Sequence, residues 1–390
     1  MTKPPEIYAL KERRLLTCFS LLLTGIVTCL PVAALPLPSA PQLAASSHIL
    51  VEYETGQLLV GNNQSERIEP ASLTKIMTAY LVFQELSEGR ISESDLVTVS
   101  KKAWQAEGSR MFIEVDKKVS VGELIRGMVI QSGNDASIAL AEHIAGSEEI
   151  FAELMTATAR ELGMKNSQFR NATGLPDPEH YTSAEDMALL AAETMRRFPD
   201  YYPLYAQKSY TFGGIKQPNR NRLLWRDKSV DGFKTGHTEA AGYCLVASAN
   251  RDGMRLISIV TGTDSDARRF EETQKLLSYG FRFFQRHTLF RGGELRSEAP
   301  VYGGAEETVA LGLAEDLTLV IPRGAEQQIS AVAEIDREIN APVLPGTAFG
   351  ELQVTLDGEL LATRPLLALE GVSEGSVIQQ LGDWLERLFE

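Results

Sequence analysis

The chain has 390 residues, of which 44% are hydrophobic and 23% charged, and its formal net charge is -14. This composition excludes a fibrous or disordered protein and is sufficient for one large domain and a smaller one. Basic residues are mixed with acidic ones rather than gathered into a patch, so the charge pattern of a nucleic-acid-binding protein is missing. We therefore expect no nucleic-acid partner.

The first 34 residues are typical of a secretory signal peptide. A lysine and two arginines precede the apolar run LLTCFSLLLTGIVTCL, and the small residues of PVAA offer a cleavage point after Ala34. The run is short for a membrane span, so an uncleaved anchor is the weaker alternative. A lipoprotein site at Cys29 is weaker still, because Thr28 stands where a small residue is wanted. Each alternative predicts an exported protein.

The segment from residue 42 to 298 predicts one α+β domain. After a proline-rich linker, HILVEYETGQLLVG predicts two strands, and Pro70 opens a helix. Four helical patterns follow: VGELIRGMVIQ, NDASIALAEHIAG, IFAELMTATARELGM and SAEDMALLAAETMRRF. Strands return in SYTFGG, VDGFKTGHT, GYCLVASA and MRLISIVTG, before a helix in TQKLLSYGFRFFQR. We expect the first and last strands to share one antiparallel sheet.

The remainder of the chain predicts a small all-β domain and a terminal helix. Between residues 299 and 372 the runs are short and alternating, with turn residues between them. Residues 374–390, which include SVIQQLGDWLERLFE, place their apolar side chains on one stripe of a helix. Such a stripe needs a partner surface.

The segment PASLTKIM, residues 70–77, places Ser72 and Lys75 three residues apart at a predicted helix start. Residues at this spacing share a helix face, so Lys75 can accept the proton of a nucleophilic Ser72. Taken alone, the spacing is weak, because a serine at a helix start is usually a cap.

Two distant triplets strengthen the catalytic interpretation. SGN, residues 132–134, lies at the head of a predicted helix, and KTG, residues 234–236, lies in a predicted strand. Ser-x-x-Lys and Lys-Thr-Gly each occur once in the chain, whereas a second Ser-x-Asn, SAN at residues 248–250, lies inside a strand hairpin. The three motifs in this order are those of serine β-lactamases and penicillin-binding proteins.

With these motifs, the chain resembles the low-molecular-mass penicillin-binding proteins, the D-alanyl-D-alanine carboxypeptidases of the penicillin-binding protein five and six type. The resemblance extends over about residues 48–372 and includes LIRGMVIQSGNDA, NRNRLLW, VDGFKTGHTEAAGY, RLISIVTG and YGFRFF. It implies a serine β-lactamase/transpeptidase-like α+β domain followed by a β-rich domain. It also implies a substrate that ends in D-Ala-D-Ala, the terminus of the peptidoglycan stem peptide, and acylation by β-lactam antibiotics.

The resemblance implies a catalytic role for three residues. Ser72 would be the acylated nucleophile and Lys75 its general base, which requires a neutral amine. Burial and the nearby ammonium of Lys234 would both favour that form. Ser132 would pass a proton to the leaving D-alanine.

The resemblance also implies a substrate-binding set. Asn134 would bind the substrate amide and hold Lys75, and the backbone N–H groups of Ser72 and His237 would form the oxyanion hole. The third motif and two arginines would receive the terminal carboxylate. The implied binding residues are Asn134, Arg220, Lys234, Thr235, Gly236, His237 and Arg269. The segment TDSDARRF around Arg269 departs from the family's pattern, and Arg268 lies beside it.

Other functions are less favoured by the sequence. The five histidines have no zinc-ligand spacing, so we expect neither metal nor cofactor. GVSEG, residues 371–375, resembles a nucleophile elbow, but no histidine follows it. A β-lactamase needs a fast deacylation base, and the Glu-x-x-Asn pattern for it is not seen between SGN and KTG. An endopeptidase that uses the same site, and a cell-wall-binding protein without turnover, are the remaining alternatives.

The resemblance gives the terminal helix a possible partner. In this family such a helix commonly anchors the enzyme to the outer face of the cytoplasmic membrane. The polar face here is mostly acidic, with Arg387 its one basic residue, so apolar burial would have to supply the binding. Docking on its own domain or on another subunit is the alternative.

Overall fold

The computed structural model describes residues 38–336, 338–377 and 380. The chain divides into two compact units, Ser39–Phe283 and a second that begins at Phe284. The predicted signal peptide and most of the predicted helix over 374–390 lie outside the described residues. Within the described ranges, no helix is long and apolar enough to cross a membrane.

The first unit is built on a five-stranded antiparallel sheet of order β2-β1-β9-β8-β7. The early strand β1 pairs with the late strand β9, with His48 opposite Val260, so both ends of the unit share one sheet, as predicted. Two small two-stranded sheets, β3-β4 and β5-β6, accompany it. The strands are β1 (Ser47–Glu52), β2 (Leu58–Asn62), β3 (Leu96–Thr98), β4 (Lys118–Ser120), β5 (Ser209–Phe212), β6 (Ile215–Pro218), β7 (Val230–Thr238), β8 (Gly242–Arg251) and β9 (Met254–Thr263).

Helices occupy the middle of this unit and its end. A 3₁₀ turn, Ala71–Thr74, precedes the first helix, and a π-helical turn, Gly127–Gln131, follows the third. The α-helices are α1 (Lys75–Ser87), α2 (Lys101–Trp104), α3 (Val121–Arg126), α4 (Asn134–Ala145), α5 (Glu148–Glu161), α6 (Ala184–Arg197), α7 (Leu223–Arg226) and α8 (Asp266–Phe283).

Local sequence explains where several helices begin. Ser120 and Glu123 form a reciprocal capping box at the start of α3, and the side chains of Ser147 and Ser183 cap α5 and α6. Helix α1 is buried along about two and a half turns, from Lys75 to Phe83, because its apolar residues are packed in the core between the sheet and the other helices. This burial places the Ser-x-x-Lys motif at the centre of the unit.

The second unit is all-β in the described residues apart from a short 3₁₀ turn and the helical residues Val377 and Gln380. A two-stranded sheet pairs β10 with β13, and a six-stranded sheet has the order β14-β16-β17-β12-β11-β15. Its core is a separate cluster that includes Leu311, Ile321 and Val354. The strands are β10 (Phe284–Phe290), β11 (Leu295–Tyr302), β12 (Thr308–Gly312), β13 (Leu317–Pro322), β14 (Ile329–Ile335), β15 (Ile339–Asn340), β16 (Ala348–Leu356) and β17 (Glu359–Ala368).

The structure moves the predicted domain boundary from residue 298 to residue 283. Helix α8 ends at Phe283, so the last letters of TQKLLSYGFRFFQR already belong to β10. That strand pairs with β13, and β11 pairs with β12 and β15, all of which lie in the second unit. The sequence prediction continued the helix too far because its apolar period runs on into the strand without a break.

Candidate active site

A cavity of about 860 Å³ opens between the sheet and the helices of the first unit. Eight of the ten predicted site residues line it, and the two lysines lie behind its surface. The eight are Ser72, Ser132, Asn134, Arg220, Thr235, Gly236, His237 and Arg269.

Ser72 lies in the 3₁₀ turn just before α1. Its neighbour Ala71 has φ of +46°, a strained value for a residue other than glycine, which fixes a sharp approach to the turn. No side chain caps either the turn or α1, so Ser72 is not acting as a helix cap. Its hydroxyl lies instead 3.0 Å from the Nζ atom of Lys75.

Lys75 is a buried amine aimed at this hydroxyl. Its side chain is 1% exposed, and Nζ also donates a 2.6 Å hydrogen bond to the backbone carbonyl of Thr173. Burial lowers the pKa of Lys75 from its ordinary value of 10.5 to about 7. At neutral pH a large fraction of the amine is therefore unprotonated and able to accept a proton.

Surrounding charges adjust this shift in both directions. The carboxylates of Asp135 and Glu148 act to raise the pKa of Lys75, and the guanidinium of Arg220 acts to lower it. The positive charge of Lys75 also acts on Lys234. Burial and this charge together hold the pKa of Lys234 well below its ordinary value. Burial is the largest cause at both lysines.

The second motif faces Ser72 from the junction of the π-helical turn and α4. Ser132 ends that turn in the left-handed conformation, with φ of +69°, and its buried Oγ has no hydrogen-bond partner. Asn134 donates from Nδ2 to the carbonyl of Glu107 at 2.6 Å, and its Oδ1 has no partner. The predicted contact that would hold Lys75 is therefore not formed, because Thr173 supplies that hydrogen bond.

The third motif lies on β7, packed against the turn that carries the serine. A Cβ on Gly236 would approach the carbonyl of Pro70 to 3.1 Å and Leu73 Cγ to 3.2 Å, so any larger residue would require the strand or the turn to shift. Lys234 is 2% exposed and donates a long 3.3 Å hydrogen bond to the carbonyl of Thr235. The Nζ atom of Lys234 is therefore only weakly held by this hydrogen bond.

The two arginines predicted for the site, Arg220 and Arg269, both line the cavity, as does Arg222. Arg220 donates from Nη2 to the hydroxyl of Ser109 at 3.2 Å. Arg269 is 6% exposed and donates to the carbonyl of Gly236 at 3.0 Å and to the carboxylate of Asp266. Its neighbour Arg268 instead makes ion pairs with Asp264 and Glu271, so of these two adjacent arginines it is Arg269 that lines the cavity.

His237 lies at the rim with an exposed side chain. Its ring lies 4.0 Å from the ring of Tyr243, its partner across β7 and β8. The guanidinium of Arg269 lies 5.4 Å from the same tyrosine ring. Tyr243 is therefore part of the cavity wall and not a core residue.

Sequence reasoning missed the groups that support the site. Asp135 accepts hydrogen bonds from the backbone N–H groups of Met111, Phe112 and Ile113, which fixes the segment that carries Ser109. In the sequence, the only indication of this supporting role is that Asp135 directly follows the SGN motif. In the described part of the chain, no three His, Cys, Asp or Glu side chains gather as a metal site.

The fold and this arrangement of three motifs define a serine acyl-transfer enzyme of the penicillin-binding class. Two family models match the chain: D-alanyl-D-alanine carboxypeptidase over residues 36–265 and the C-terminal domain of penicillin-binding protein 5 over residues 284–374. A D-alanyl-D-alanine carboxypeptidase of Haemophilus influenzae is 42% identical over 352 residues, 88% of this chain and 89% of the relative.

Solved structures agree with these matches. Penicillin-binding protein 5 from Haemophilus influenzae has a TM-score of 0.81 at 41% identity, covering 86% of this chain and 100% of that one. Penicillin-binding protein D2 from Listeria monocytogenes in its ampicillin-bound form has a TM-score of 0.57 at 30% identity, covering 61% of this chain and 98% of that one.

The chain therefore belongs to the D-alanyl-D-alanine carboxypeptidase family. It is a serine D-Ala-D-Ala carboxypeptidase of the penicillin-binding protein 5/6 type, a hydrolase.

Proposed function

We propose that Ser72 is the nucleophile that removes the terminal D-alanine from peptidoglycan stem pentapeptides, with Lys75 as its general base. The observation that carries the proposal is the 3.0 Å distance between Ser72 Oγ and the buried Nζ of Lys75, whose pKa is lowered to about 7. A neutral amine at hydrogen-bond distance is what a serine hydroxyl needs in order to attack a peptide carbonyl.

In the acylation step, the Ser72 proton moves to Lys75 Nζ as Oγ bonds to the carbonyl carbon of the penultimate D-alanine. The backbone N–H groups of Ser72 and His237 stabilise the oxyanion. Ser132, whose buried Oγ has no other partner, relays this proton from Lys75 to the leaving nitrogen, so that the Lys75 amine is neutral again. The C–N bond then breaks, D-alanine leaves, and an ester on Ser72 remains.

Water completes the reaction. It attacks the ester carbonyl, its proton passes to the Lys75 amine, and the Ser72 oxygen recovers a proton as the shortened peptide departs. No cofactor or metal is needed for either step. The free Oδ1 of Asn134 accepts the substrate amide N–H, a role that agrees with its lack of another partner.

The terminal carboxylate of the substrate binds at the KTG strand. Lys234 is buried and weakly engaged, so a carboxylate beside it returns its pKa toward the ordinary value and restores the ammonium charge. Thr235, Gly236, Arg220 and Arg269 complete this part of the cavity. A penicillin presents a carboxylate and an amide in the same order, and we propose that it acylates the same serine.

We propose that the enzyme acts outside the cytoplasmic membrane. The support is the signal-like segment over residues 1–34 and a peptidoglycan substrate that lies beyond that membrane. We further propose that the amphipathic segment over residues 374–390 associates with the outer face of the membrane through its apolar stripe.

The test is an assay of free D-alanine released from a peptide that ends in D-Ala-D-Ala. Wild type should release one D-alanine per peptide, and Ser72→Ala should release none above the rate without enzyme. Ser65→Ala, a serine that bonds Glu185 on the surface, is the matched control and should remain active. Equal release by Ser72→Ala and wild type would contradict the proposal. Cleavage of cross-linked dimers into monomers, with no D-alanine released from pentapeptide, would favour the endopeptidase.

A further inference from the structure

His180 is a buried histidine that the reaction above does not use. It is 3% exposed, and its ring packs edge-on against Phe169 with centroids 5.6 Å apart. Its Nε2 lies 2.9 Å from the hydroxyl of Thr74, the residue between the serine motif's Leu73 and Lys75. Its Nδ1 lies 3.2 Å from the backbone nitrogen of Arg170.

These two contacts fix the tautomer of the ring. The Arg170 nitrogen carries a hydrogen, so Nδ1 must be the acceptor, and the single ring hydrogen is on Nε2, from which it is donated to Thr74 Oγ1. Burial, with a contribution from the Lys75 charge, lowers the pKa of His180 to about 4. The ring is therefore neutral wherever the enzyme acts near neutral pH.

The ring joins the motif turn to the strap, the name used here for residues 170–174. The strap lies along α1 and bonds to it at two further points. Thr78 Oγ1 donates to the carbonyl of Ala172 at 2.8 Å, and Lys75 Nζ donates to the carbonyl of Thr173 at 2.6 Å. His180 accepts a hydrogen bond from the Arg170 N–H and so holds the N-terminal end of the strap, ahead of both carbonyls.

The Thr173 carbonyl decides where the lone pair of a neutral Lys75 points. An amine that gives one hydrogen to this carbonyl has its lone pair free for the Ser72 hydroxyl, 3.0 Å away. A small displacement of the strap would turn the lone pair away and admit water beside the amine.

We infer that His180 is a positioning residue for catalysis: as a neutral ring bridging Thr74 and Arg170, it holds the strap so that Thr173 orients Lys75 toward Ser72. The inference rests on the proposed roles of Ser72 and Lys75. His180 itself touches neither of them and is not a catalytic residue.

Several charged groups bear on the two side chains. Asp135, Glu148 and Arg220 act on Lys75, and Lys234 is repelled by it. Asp177 acts on His180 from its own loop and favours the charged ring, while Lys75 disfavours it. None of these groups is changed by a substitution at His180, so a change in the pH profile reports on the strap.

The test uses the full chain and measures the rate of acylation by benzylpenicillin from pH 5 to pH 10. His180→Phe keeps the ring volume and loses both hydrogen bonds, and His180→Asn keeps an acceptor for the Arg170 N–H. His48→Phe is the matched control, because His48 is also buried, at 5% exposed, but lies on β1.

We expect His180→Phe to lower the acylation rate at pH 7 by about tenfold to a hundredfold. In this variant, the acidic limb of the pH–rate profile, where the rate rises as Lys75 loses its proton, should move to higher pH. The reason is that water admitted beside Lys75 relieves the burial that lowers the pKa of Lys75. His180→Asn should recover part of the rate, and His48→Phe should keep the wild-type limb even where its melting temperature falls.

Two results would overturn the inference: an unchanged rate in His180→Phe, or a loss of rate with an unmoved acidic limb, as expected of a merely structural residue. Failure of the proposed function looks different, since Ser72→Ala would then still be acylated. Wild-type acylation that is abolished in Ser72→Ala, together with an unaffected His180→Phe, rejects the inference alone.

Discussion

The proposed chemistry of the site depends on one buried amine. Lys75 is 1% exposed, and desolvation outweighs the two carboxylates that act to charge it, so its pKa is about 7. The sequence motif predicted the residue and its spacing from Ser72. It did not predict the Thr173 carbonyl that orients the amine, because every residue carries a carbonyl and sequence letters do not tell which one faces inward.

The lowered pKa of Lys75 predicts the acidic limb of the pH profile. The base is competent only when neutral, so the rate of acylation should rise as pH increases through about 7 and be lost below it. Stopped-flow acylation by a penicillin, measured across this range, checks the midpoint. An acidic limb near pH 4 to 5 would mean that a carboxylate, and not Lys75, is the base.

The same shift makes a prediction for stability. The folded-state pKa of about 7 lies below the unfolded value of 10.5, so charging Lys75 costs stability below pH 7, and this cost disappears as pH rises toward 10.5. Lys75→Met should abolish turnover. It should also raise the free energy of unfolding at pH 6 by about 2 kcal/mol, because the gain from removing a buried charge exceeds the loss of the Lys75 hydrogen bonds. Urea unfolding at pH 6 and pH 9.5 should show the gain shrinking; a constant or growing gain would contradict this account.

At the scale of elements, the site is a meeting of three pieces: the turn before α1, the start of α4, and β7. Sequence patterns predicted all three because each carries one of the three short motifs. They did not predict the close contacts between the pieces, such as Gly236 against Pro70, since these depend on how the sheet and helices pack.

Gly174, in the strap, makes a still closer approach to the turn before α1, and this approach supports a prediction. Its φ is +84°, and a Cβ there would lie 1.8 Å from the carbonyl of Ala71, the residue before Ser72. Gly174→Ala should therefore push the strap from the motif turn, lower the free energy of unfolding by about 2 to 4 kcal/mol, and greatly reduce acylation.

Gly163→Ala is the matched control for this substitution. Gly163 has a similar φ of +83° at the end of α5, with nothing within 4 Å of an added Cβ. It should lose only about 1 kcal/mol and keep the wild-type rate of acylation. Equal effects of the two substitutions would show that backbone strain alone, and not the contact with Ala71, explains Gly174.

At the scale of the whole molecule, the chain has two units with separate cores and all the predicted site residues in the first. The fold class was predictable because helical and alternating patterns change sharply along the chain. The boundary was not, since α8 passes into β10 without a turn residue, and only the pairing of β10 with β13 reveals the change.

This division predicts how truncated chains behave. Residues 39–283 should fold as a monomer and react with penicillin at the rate of the full chain, because this unit has its own core. A chain ending at residue 298 adds β10 and part of β11 without their partners, and such unpaired strands promote aggregation. Size-exclusion chromatography should show a monomer for the chain ending at 283 and aggregates for the chain ending at 298. A monomeric longer chain beside an aggregated shorter one would place the boundary at 298.

The central claim is that Ser72 is the acylated residue, and peptide mapping after reaction with benzylpenicillin tests it most directly. Mass spectrometry of the digested protein should find one penicillin per chain, on the peptide that contains Ser72, and none after Ser72→Ala. An adduct on Ser132 or on another serine, or labelling that survives Ser72→Ala, would contradict the account.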